Sequence, residues 1–399
     1  MKLETRASNK ERKKHKNEEI EFKEFIKTND SILNLEGASS VNALCKGMLE
    51  SGHNLWIFSS YDGKSIVKYE GINLHIILVP RKGLIPYSFL VKLIVSRRLI
   101  EVIDQHIKDL DVLHAQWTYE YALAAKSFVN EVPVFCTLRD WCPRIRDLQT
   151  KWKSKLVWKF NTLIFRNVMK CKKIHFIANS EYIRDKILDI HPSYEVDIIY
   201  NSINFDFVLK TERMSPTTIR FVSITQNIIT AGKNYGNLLI AFSKYLKKNK
   251  NAELLIIGAY DRDYSLFKEW ESAGLFTNVN LMGVVPHQEL PTILDTCTAL
   301  IHPSLEESFG NTLLEGMARK IPVVGGEKSG AVPYILGFGK YGFLCNVEDV
   351  DSILDTMFAL ENEENVRNKV DAAYNYLINN YSNSMLSQKQ ILLYEKYIT

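Results

Sequence analysis

The sequence lacks the features that mark membrane-spanning, exported and nucleic-acid-binding chains. No uninterrupted apolar stretch reaches the roughly 18 residues that a membrane-spanning helix needs. The segment Tyr87–Ile100 comes nearest, but one lysine and two arginines interrupt it. The N-terminus is charged from its start and has no apolar signal core, so we expect no export. The net charge of +4 is too small to predict a nucleic-acid partner by itself.

Cysteine is also scarce and has no metal-binding spacing. The six cysteines never form C-x-x-C: Cys45, Cys136, Cys142, Cys171, Cys297 and Cys345. This pattern is typical of reduced thiols in a cytoplasmic protein. No D-x-D lies in a loop suited to a metal, and DRD at Asp261–Asp263 is typical of a surface turn. We therefore expect no metal site and no metal dependence.

The sequence does have the composition of a globular α/β protein and the alternation of strand-like and helix-like segments that such a protein shows. Its 399 residues are 46% hydrophobic and 24% charged, enough for two domains of ordinary size. Apolar strand-like runs alternate with amphipathic helices in two successive series, which predicts two Rossmann-like doubly wound domains facing a central cleft. We place a charged tail at residues 1–30, one domain at 31–210, a second at 211–380 and a terminal helix at 381–399.

The segment 301–326, IHPSLEESFGNTLLEGMARKIPVVGG, has the most specific pattern in the chain. Its first strand ends at a proline, which cannot donate to a sheet ladder. Leu305–Asn311 has no periodic pattern and contains Gly310, which indicates a loop. Thr312–Lys320 has helical spacing and Ile321–Val324 is a short apolar strand. The segment is predicted to be a βαβ unit with a polar loop where open α/β sheets bind ligands.

Two carboxylates, Glu307 and Glu315, flank this loop. Main-chain N–H groups gather at the helix start, where the macrodipole favours a phosphate. The residues that supply them are Ser308, Phe309, Gly310, Asn311 and Thr312. A carboxylate accepts hydrogen bonds from sugar hydroxyls, so the combination predicts a nucleotide-sugar site. The alternative is that Glu307 is a solvated loop charge and Glu315 a first-turn helix charge.

The segment resembles the signature region of family 4 glycosyltransferases, which are retaining enzymes of the GT-B fold. Their mark is E-x7-E inside a PS..E.FG...LE.MA...PVV context, and the resemblance runs from about Gly37 to the C-terminus. It implies that Glu307 faces the donor sugar, that Glu315 faces the ribose and that the loop amides bind the diphosphate. It also implies that the last helix returns to the first domain.

The same resemblance assigns a role to Lys233, which follows Gly232 in TAGKNYGNLLIAF. A lysine near a helix start can neutralise a diphosphate leaving group, although a lone lysine is usually a surface residue. Three positions depart from the family pattern. Lys320 and Tyr334 replace a small residue and a glutamate, and residues 225–228 hold no arginine where the family usually has one.

Further candidates end strands or turns of the first domain. Arg139 and Asp140 stand where the family often has His-Asp. Arg139 cannot shuttle a proton, but it can stabilise the diphosphate or hold an acidic acceptor; the alternative is a structural Arg–Asp pair. His114 contacts ligand or is a structural hydrogen-bonding residue. Gly37 and Ala38 would bring main chain close to the ligand at the first strand–helix turn.

Residues 144–173 form a basic stretch with ten Lys and Arg residues against one acid, interleaved with aromatic and aliphatic residues. A helix of this composition suits an anionic membrane surface. The alternative is a solvated basic face over ordinary core packing.

We therefore predict a retaining, metal-independent hexosyltransferase that needs no cofactor. Its donor would be a UDP- or GDP-linked sugar and its acceptor a glycan or lipid-linked hydroxyl, in bacterial cell-surface polysaccharide or lipid-linked glycan synthesis. The implied mechanism is front-face attack, with the departing phosphate helping to deprotonate the acceptor. We expect a cytoplasmic protein, at the inner face of the plasma membrane if the basic stretch binds lipid.

Three other functions share this architecture. A nicotinamide-dependent oxidoreductase should show G-x-G-x-x-G after a strand, and no such string is present. A catalytically weakened partner subunit is favoured by the missing arginine, by Arg139 and by Tyr334. A GT-B nucleotide-sugar epimerase is the remaining alternative within the enzymes.

Overall fold

The computed structural model describes residues 39–81, 89–149, 151–203, 207–209, 211, 213, 216–230 and 232–398. These residues divide into a first unit, 39–202 with 383–398, and a second unit, 203–382. Each unit has its own buried apolar cluster. The charged tail 1–30 and the binding candidates Gly37 and Ala38 lie outside the described residues, so their roles stay predictions.

The first unit contains two sheets. The smaller sheet is formed by β1 (Leu55–Tyr61), β2 (Val67–Glu70) and β3 (Leu74–Pro80) in the order β1-β3-β2. β1 is parallel to β3, whereas β2 is an antiparallel edge strand. The larger sheet is parallel, in the order β4-β5-β6-β7. Its strands are β4 (Leu113–Gln116), β5 (Val134–Leu138), β6 (Ile174–Ala178) and β7 (Val196–Ile198).

Seven helices of the described residues belong to this unit. They are α1 (Ser39–Glu50), α2 (Phe89–Asp104), α3 (Glu120–Ala125), α4 (Cys142–Asp147), α5 (Trp152–Met169), α6 (Glu181–Ile190) and the terminal helix α14 (Asn383–Glu395). Every residue of β5 is buried, as expected for a parallel strand covered on both faces. The predicted basic helix is two helices, because α4 ends at Asp147 and α5 begins at Trp152.

The terminal helix packs within the first unit, which confirms the predicted return of the last helix. Tyr394 and Phe135 of β5 have ring centroids 4.9 Å apart. At the contact with α1, a Cβ atom on Gly47 would lie 2.0 Å from Ser387 Oγ. Only glycine permits this approach, so α1 and α14 are in close contact at this position.

The second unit is built on one parallel sheet of six strands in the order β10-β9-β8-β11-β12-β13. The strands are β8 (Arg220–Asn227), β9 (Glu253–Ala259), β10 (Val279–Gly283), β11 (Ala299–His302), β12 (Val323–Gly326) and β13 (Phe343–Cys345). Numbered within the unit, the order is 3-2-1-4-5-6, that of a doubly wound dinucleotide-binding sheet. The two Rossmann-like units confirm the predicted GT-B class.

Seven further α-helices connect these strands or follow them among the described residues. They are α7 (Tyr235–Tyr245), α8 (Ser265–Ser272), α9 (Leu290–Asp295), α10 (Asn311–Ala318), α11 (Val332–Ile335), α12 (Val350–Ala359) and α13 (Glu363–Asn380). The predicted βαβ unit is β11, α10 and β12. Lys320 has a left-handed φ of 53° in the turn after α10, which explains why a small residue is usual there. No helix within the described ranges combines the length and apolar character that crossing a membrane requires.

Candidate functional site

The candidate site lies where the sheet of the second unit reverses its direction of winding. The chain leaves β8 toward β9 on one side, whereas β11, the other neighbour of β8, continues toward β12. Ligands of doubly wound sheets bind beyond the carboxyl ends of the strands at this point. Lys233 follows β8 and Glu307 follows β11, and Lys233 Nζ lies 2.6 Å from Glu307 Oε1. The fold therefore brings the two predicted residues into direct contact.

Main-chain contacts hold the two loops in place. The Leu305 N–H group donates to the Gly232 carbonyl at 2.7 Å, and the Ala331 N–H group donates to the Glu307 carbonyl at 2.9 Å. Gly330 has a φ of +61°, and a Cβ atom on it would lie 2.3 Å from the same Glu307 carbonyl oxygen. The position of Glu307 thus depends on a glycine that no motif had indicated.

Glu307 is ionised in this environment. Burial by itself would raise the pKa of its carboxyl, but the charge of Lys233 and a hydrogen bond from His302 outweigh that effect. Together they hold the pKa well below its usual range. His302 Nε2 lies 3.0 Å from the same Oε1 atom that contacts Lys233. A group with these partners accepts hydrogen bonds at neutral pH and does not donate a proton.

The loop that leads into α10 is fixed by a buried aromatic ring. Phe309 is 2% exposed, and its ring packs edge-on against Tyr381 at 6.0 Å. Any contact of Phe309 with a ligand would therefore come from its main chain. Gly310 precedes α10 with a φ of 98°, and Thr312 Oγ1 lies 3.1 Å from His302 Nδ1. Ser308 and Asn311 are partly exposed beside them.

Glu315 lies in the second turn of α10 and is 8% exposed. It is therefore not the first-turn helix charge of the alternative interpretation. His287 Nε2 lies 3.0 Å from Glu315 Oε1, and the His287 ring packs against Phe207 at 5.1 Å. Among the described residues, Glu315 Oε2 is buried with no hydrogen-bond partner. This oxygen can accept a hydrogen bond from a ligand hydroxyl.

Arg139 follows β5 in the first unit and is held by polar side chains. Its guanidinium donates to Gln116 Oε1 at 2.9 and 2.7 Å, to Ser40 Oγ at 3.1 Å and to Asn201 Oδ1 at 2.5 Å. Burial lowers the pKa of Arg139 to about 10, so the side chain stays charged at neutral pH. This positive group lies at the carboxyl edge of the first unit's parallel sheet.

Two neighbours of Arg139 complete this edge. Asp140 accepts hydrogen bonds from Tyr119 on both carboxylate oxygens at 3.0 Å. His114 lies 2.5 Å from the Tyr394 hydroxyl through Nδ1 and 2.8 Å from Thr137 Oγ1 through Nε2. Burial, and then the charge of Arg139, lower the pKa of His114 to about 3, so its ring is neutral. These contacts favour the structural interpretation of His114, and its ligand role stays a prediction.

Sequence reasoning gave no role in the site to the residues that support the predicted ones. His302 and His287 contact the two glutamates, and Gln116 and Asn201 contact Arg139. Three of the four end a strand or follow one closely, since His302 ends β11, Gln116 ends β4 and Asn201 follows β7. The carboxyl ends of parallel strands share one edge, and that rule could have found them.

The departures from the family pattern have structural counterparts. Tyr334 lies on α11, with its ring centroid 5.2 Å from that of the exposed Phe338. Residues 225–227 belong to β8 and Ile228 is buried, so no cation stands at the usual arginine position. Asp261–Asp263 is exposed, with the Asp263 N–H group donating to Asp261 Oδ1 at 2.9 Å, as a surface turn requires. Within the described residues, no group of three or more metal-ligating side chains is arranged to hold an ion.

Comparison with known proteins gives two family matches. The model described as "Glycosyltransferase Family 4" matches residues 37–207, and the model described as "Glycosyl transferases group 1" matches residues 219–375. The second match contains Lys233, Glu307 and Glu315, whereas the first contains Arg139 and His114.

Three individual proteins show how far this similarity extends. The N-acetyl-alpha-D-glucosaminyl L-malate synthase of Bacillus anthracis is 22% identical over 365 residues, which are 88% of this chain and 92% of that protein. The O-antigen chain mannosyltransferase RfbU of Salmonella typhimurium is 28% identical over 226 residues, 52% of this chain and 60% of that protein. Anabaena HepE, solved in complex with UDP and glucose, is 16% identical with a TM-score of 0.63, covering 80% of this chain and 86% of that chain. The last similarity shows a shared fold.

Proposed function

The chain belongs to the family 4, or group 1, glycosyltransferases, and on that premise we propose that it is a retaining hexosyltransferase. The donor would be a UDP- or GDP-linked sugar, and no metal would be needed. One observation carries the proposal: the loops after β8 and β11 bring Lys233 Nζ within 2.6 Å of Glu307 Oε1 at the reversal point of the sheet. A cation and a carboxylate at this place fit a diphosphate and a sugar hydroxyl respectively.

In the proposed reaction, the bond between the sugar anomeric carbon and the phosphate oxygen breaks, and the acceptor oxygen bonds to that carbon from the same face. The acceptor proton passes to the departing phosphate. Lys233 and the amides of residues 308–312 would stabilise the charge that develops on the diphosphate. Glu307 would orient the sugar by accepting from its hydroxyls, since the low pKa of its carboxyl makes it a poor acid. Glu315 would accept from the ribose through its free oxygen.

The acceptor is proposed to be a glycan or a lipid-linked hydroxyl of bacterial surface polysaccharide synthesis. Support comes from the relative that is an O-antigen chain mannosyltransferase. Arg139 gives a second candidate, because a charged guanidinium at the sheet edge suits an acceptor with a carboxylate. The relative whose product is a glucosaminyl malate favours the same candidate. Transfer assays with neutral and acidic acceptors separate the two.

The outer face of α5 supports a further part of the proposal, which is attachment to an anionic membrane. Five residues of α5 at helical spacing and Lys170, which directly follows the helix, share that face, and all six are exposed: Trp152, Leu156, Lys159, Leu163, Arg166 and Lys170. Trp152 is 70% exposed, Leu156 47% and Leu163 52%, although large apolar side chains usually avoid water. A mixture of apolar and basic residues on one face suits the boundary between lipid headgroups and acyl chains. Attachment through this face would bring the protein to a lipid-linked acceptor at the inner face of the plasma membrane.

The test is turnover by the purified full-length chain. UDP- and GDP-hexoses are supplied with short glycan acceptors, and release of the nucleoside diphosphate is followed together with the proton NMR spectrum of the product. We expect transfer with the anomeric configuration of the donor, lost in Glu307→Ala. Binding of donor without turnover would favour the weakened partner subunit, which the missing arginine near residues 225–228 suggests. An epimerised sugar would identify an epimerase.

A further inference from the structure

His302, the last residue of β11, is a buried histidine inside the site that no motif assigns. Its side chain is 5% exposed. Nε2 lies 3.0 Å from Glu307 Oε1, and Nδ1 lies 3.1 Å from Thr312 Oγ1. The imidazole therefore connects the end of β11, the middle of the loop and the first turn of α10.

The direction of both hydrogen bonds follows from the state of Glu307. An ionised carboxylate only accepts, so His302 Nε2 must carry a hydrogen. When the ring carries that single hydrogen, Nδ1 is the acceptor and the Thr312 hydroxyl is the donor. Thr312 thus selects the tautomer that lets His302 donate to Glu307.

Lys233 contacts the same carboxylate oxygen at 2.6 Å. In this contact the positive charge of Lys233 neutralises the Glu307 carboxylate. In the proposed reaction the same charge has to stabilise the diphosphate. If Lys233 left and Glu307 had no other donor, a largely buried carboxylate would remain unpaired at a high energetic cost. His302 removes most of that cost, because its hydrogen bond to Glu307 does not depend on Lys233.

We infer that His302 is a positioning residue that holds Glu307 while Lys233 moves from Glu307 to the diphosphate of the donor. This inference rests on the proposed function. His302 acts through Glu307 and does not itself contact the ligand. Without His302, Glu307 would retain Lys233 more strongly, and a nucleoside diphosphate would bind more weakly although it never touches position 302.

A double-mutant cycle tests this role. Calorimetric titrations with UDP and with GDP are made on the full-length wild type, His302→Ala, His302→Gln, Glu307→Ala and the double variant His302→Ala with Glu307→Ala. We expect His302→Ala to weaken nucleoside diphosphate binding on the order of tenfold. His302→Gln should recover most of the loss, because its amide can donate from nearly the position of Nε2. In the Glu307→Ala background, His302→Ala should have no further effect, because nothing remains to be held.

The outcomes that contradict the inference are distinct. Equal loss from His302→Ala with and without Glu307 would show that His302 only supports the fold, and no loss at all would show that it has no role in binding. If His302→Ala does not fold, Thr312→Val replaces it in the same cycle, because it removes the hydroxyl that selects the tautomer. His191→Ala, a histidine of the first unit, is the matched control and should bind like wild type. A wild type that binds neither UDP nor GDP would refute the proposed function together with this role, whereas a binding wild type with additive losses refutes only the role of His302.

Discussion

Glu315 accepts a hydrogen bond from His287 on one carboxylate oxygen, at 3.0 Å, and its other oxygen is buried with no hydrogen-bond partner among the described residues. A buried polar atom without a partner costs about 1–3 kcal/mol, so a native structure rarely keeps one without a use. A ribose hydroxyl of the donor would supply the missing hydrogen bond. Glu315 would then recognise the nucleoside and not the transferred sugar.

This relationship predicts how Glu315→Ala binds nucleotides. UDP or GDP affinity should fall on the order of tenfold, because a hydrogen bond to a charged group is worth about 1.5–3 kcal/mol. The wild type should bind the ribonucleotide more tightly than the matching 2′- or 3′-deoxynucleotide, and the variant should lose that preference. Calorimetry measures both effects. A variant that still prefers the ribonucleotide at both positions would exclude Glu315 as the ribose contact.

A second prediction concerns Gly330, whose missing side chain makes room for the Glu307 carbonyl. In Gly330→Ala the new Cβ atom would lie 2.3 Å from that oxygen, so the main chain of Glu307 must move. Turnover should fall at least tenfold, since small displacements of reacting groups are costly. The matched control is Gly274→Ala, with a φ of 69° and no atom within 4 Å of the new Cβ. Both variants should lose about 1 kcal/mol of stability from the left-handed main chain. Gly330→Ala should lose more stability, because its Cβ atom also displaces the Glu307 main chain, and only this variant should lose activity.

A third prediction concerns the carboxyl of Asp140. Burial raises its pKa from 3.8 to about 6, and the hydrogen bond from Tyr119 opposes that effect only in part. The folded chain therefore holds this proton more tightly than the unfolded chain. Ionised Asp140 destabilises the fold above about pH 6, and the effect disappears as the pH falls toward 4. Asp140→Asn should raise the free energy of unfolding by about 1 kcal/mol near pH 8, with the difference shrinking between pH 6 and pH 4. Denaturant titrations at several pH values measure this difference in the free energy of unfolding, and Asp104→Asn, at an exposed position, is the control. A difference that does not vary with pH would contradict the raised pKa of Asp140.

A fourth prediction tests the outer face of α5. Reversing two of its charges in Lys159→Glu with Lys170→Glu should lower binding to vesicles rich in phosphatidylglycerol at least about tenfold, because each basic residue near such a surface contributes about 1 kcal/mol. The control reverses two exposed lysines of the second unit, Lys247→Glu with Lys250→Glu. Vesicle co-sedimentation measures the difference. Equal loss in both variants would indicate only a general charge effect, and the membrane proposal would fail.

The secondary structure was predictable wherever the local sequence contained clear strand, turn and helix signals. The βαβ unit of the site was predicted because a proline ends its first strand, a glycine lies in its loop and its helix has clear apolar spacing. β2 was missed, because VKYE is short, half exposed and an antiparallel edge strand. β13 was missed as well, because Phe343–Cys345 has only three residues and no periodicity to measure.

The site was predictable only as far as one continuous segment reaches. Glu307 and Glu315 lie in a single motif, so the spacing along the chain identified both. His287 and Gly330 act on those glutamates from other loops, and nothing in their own neighbourhood in the sequence indicates a function. Strand order decides which loops meet, and a sequence without the sheet topology does not give it.

The most direct test of the whole account is the affinity of the full-length chain for UDP- and GDP-sugars, measured by calorimetry with Lys233→Ala and with the control Lys244→Ala. Lys244 belongs to the same unit and pairs with the exposed Asp351. The account predicts that one class of donor binds the wild type and the control alike, and that Lys233→Ala weakens its binding at least tenfold. Unchanged affinity in Lys233→Ala, or no binding of any nucleotide-sugar to the wild type, would contradict it.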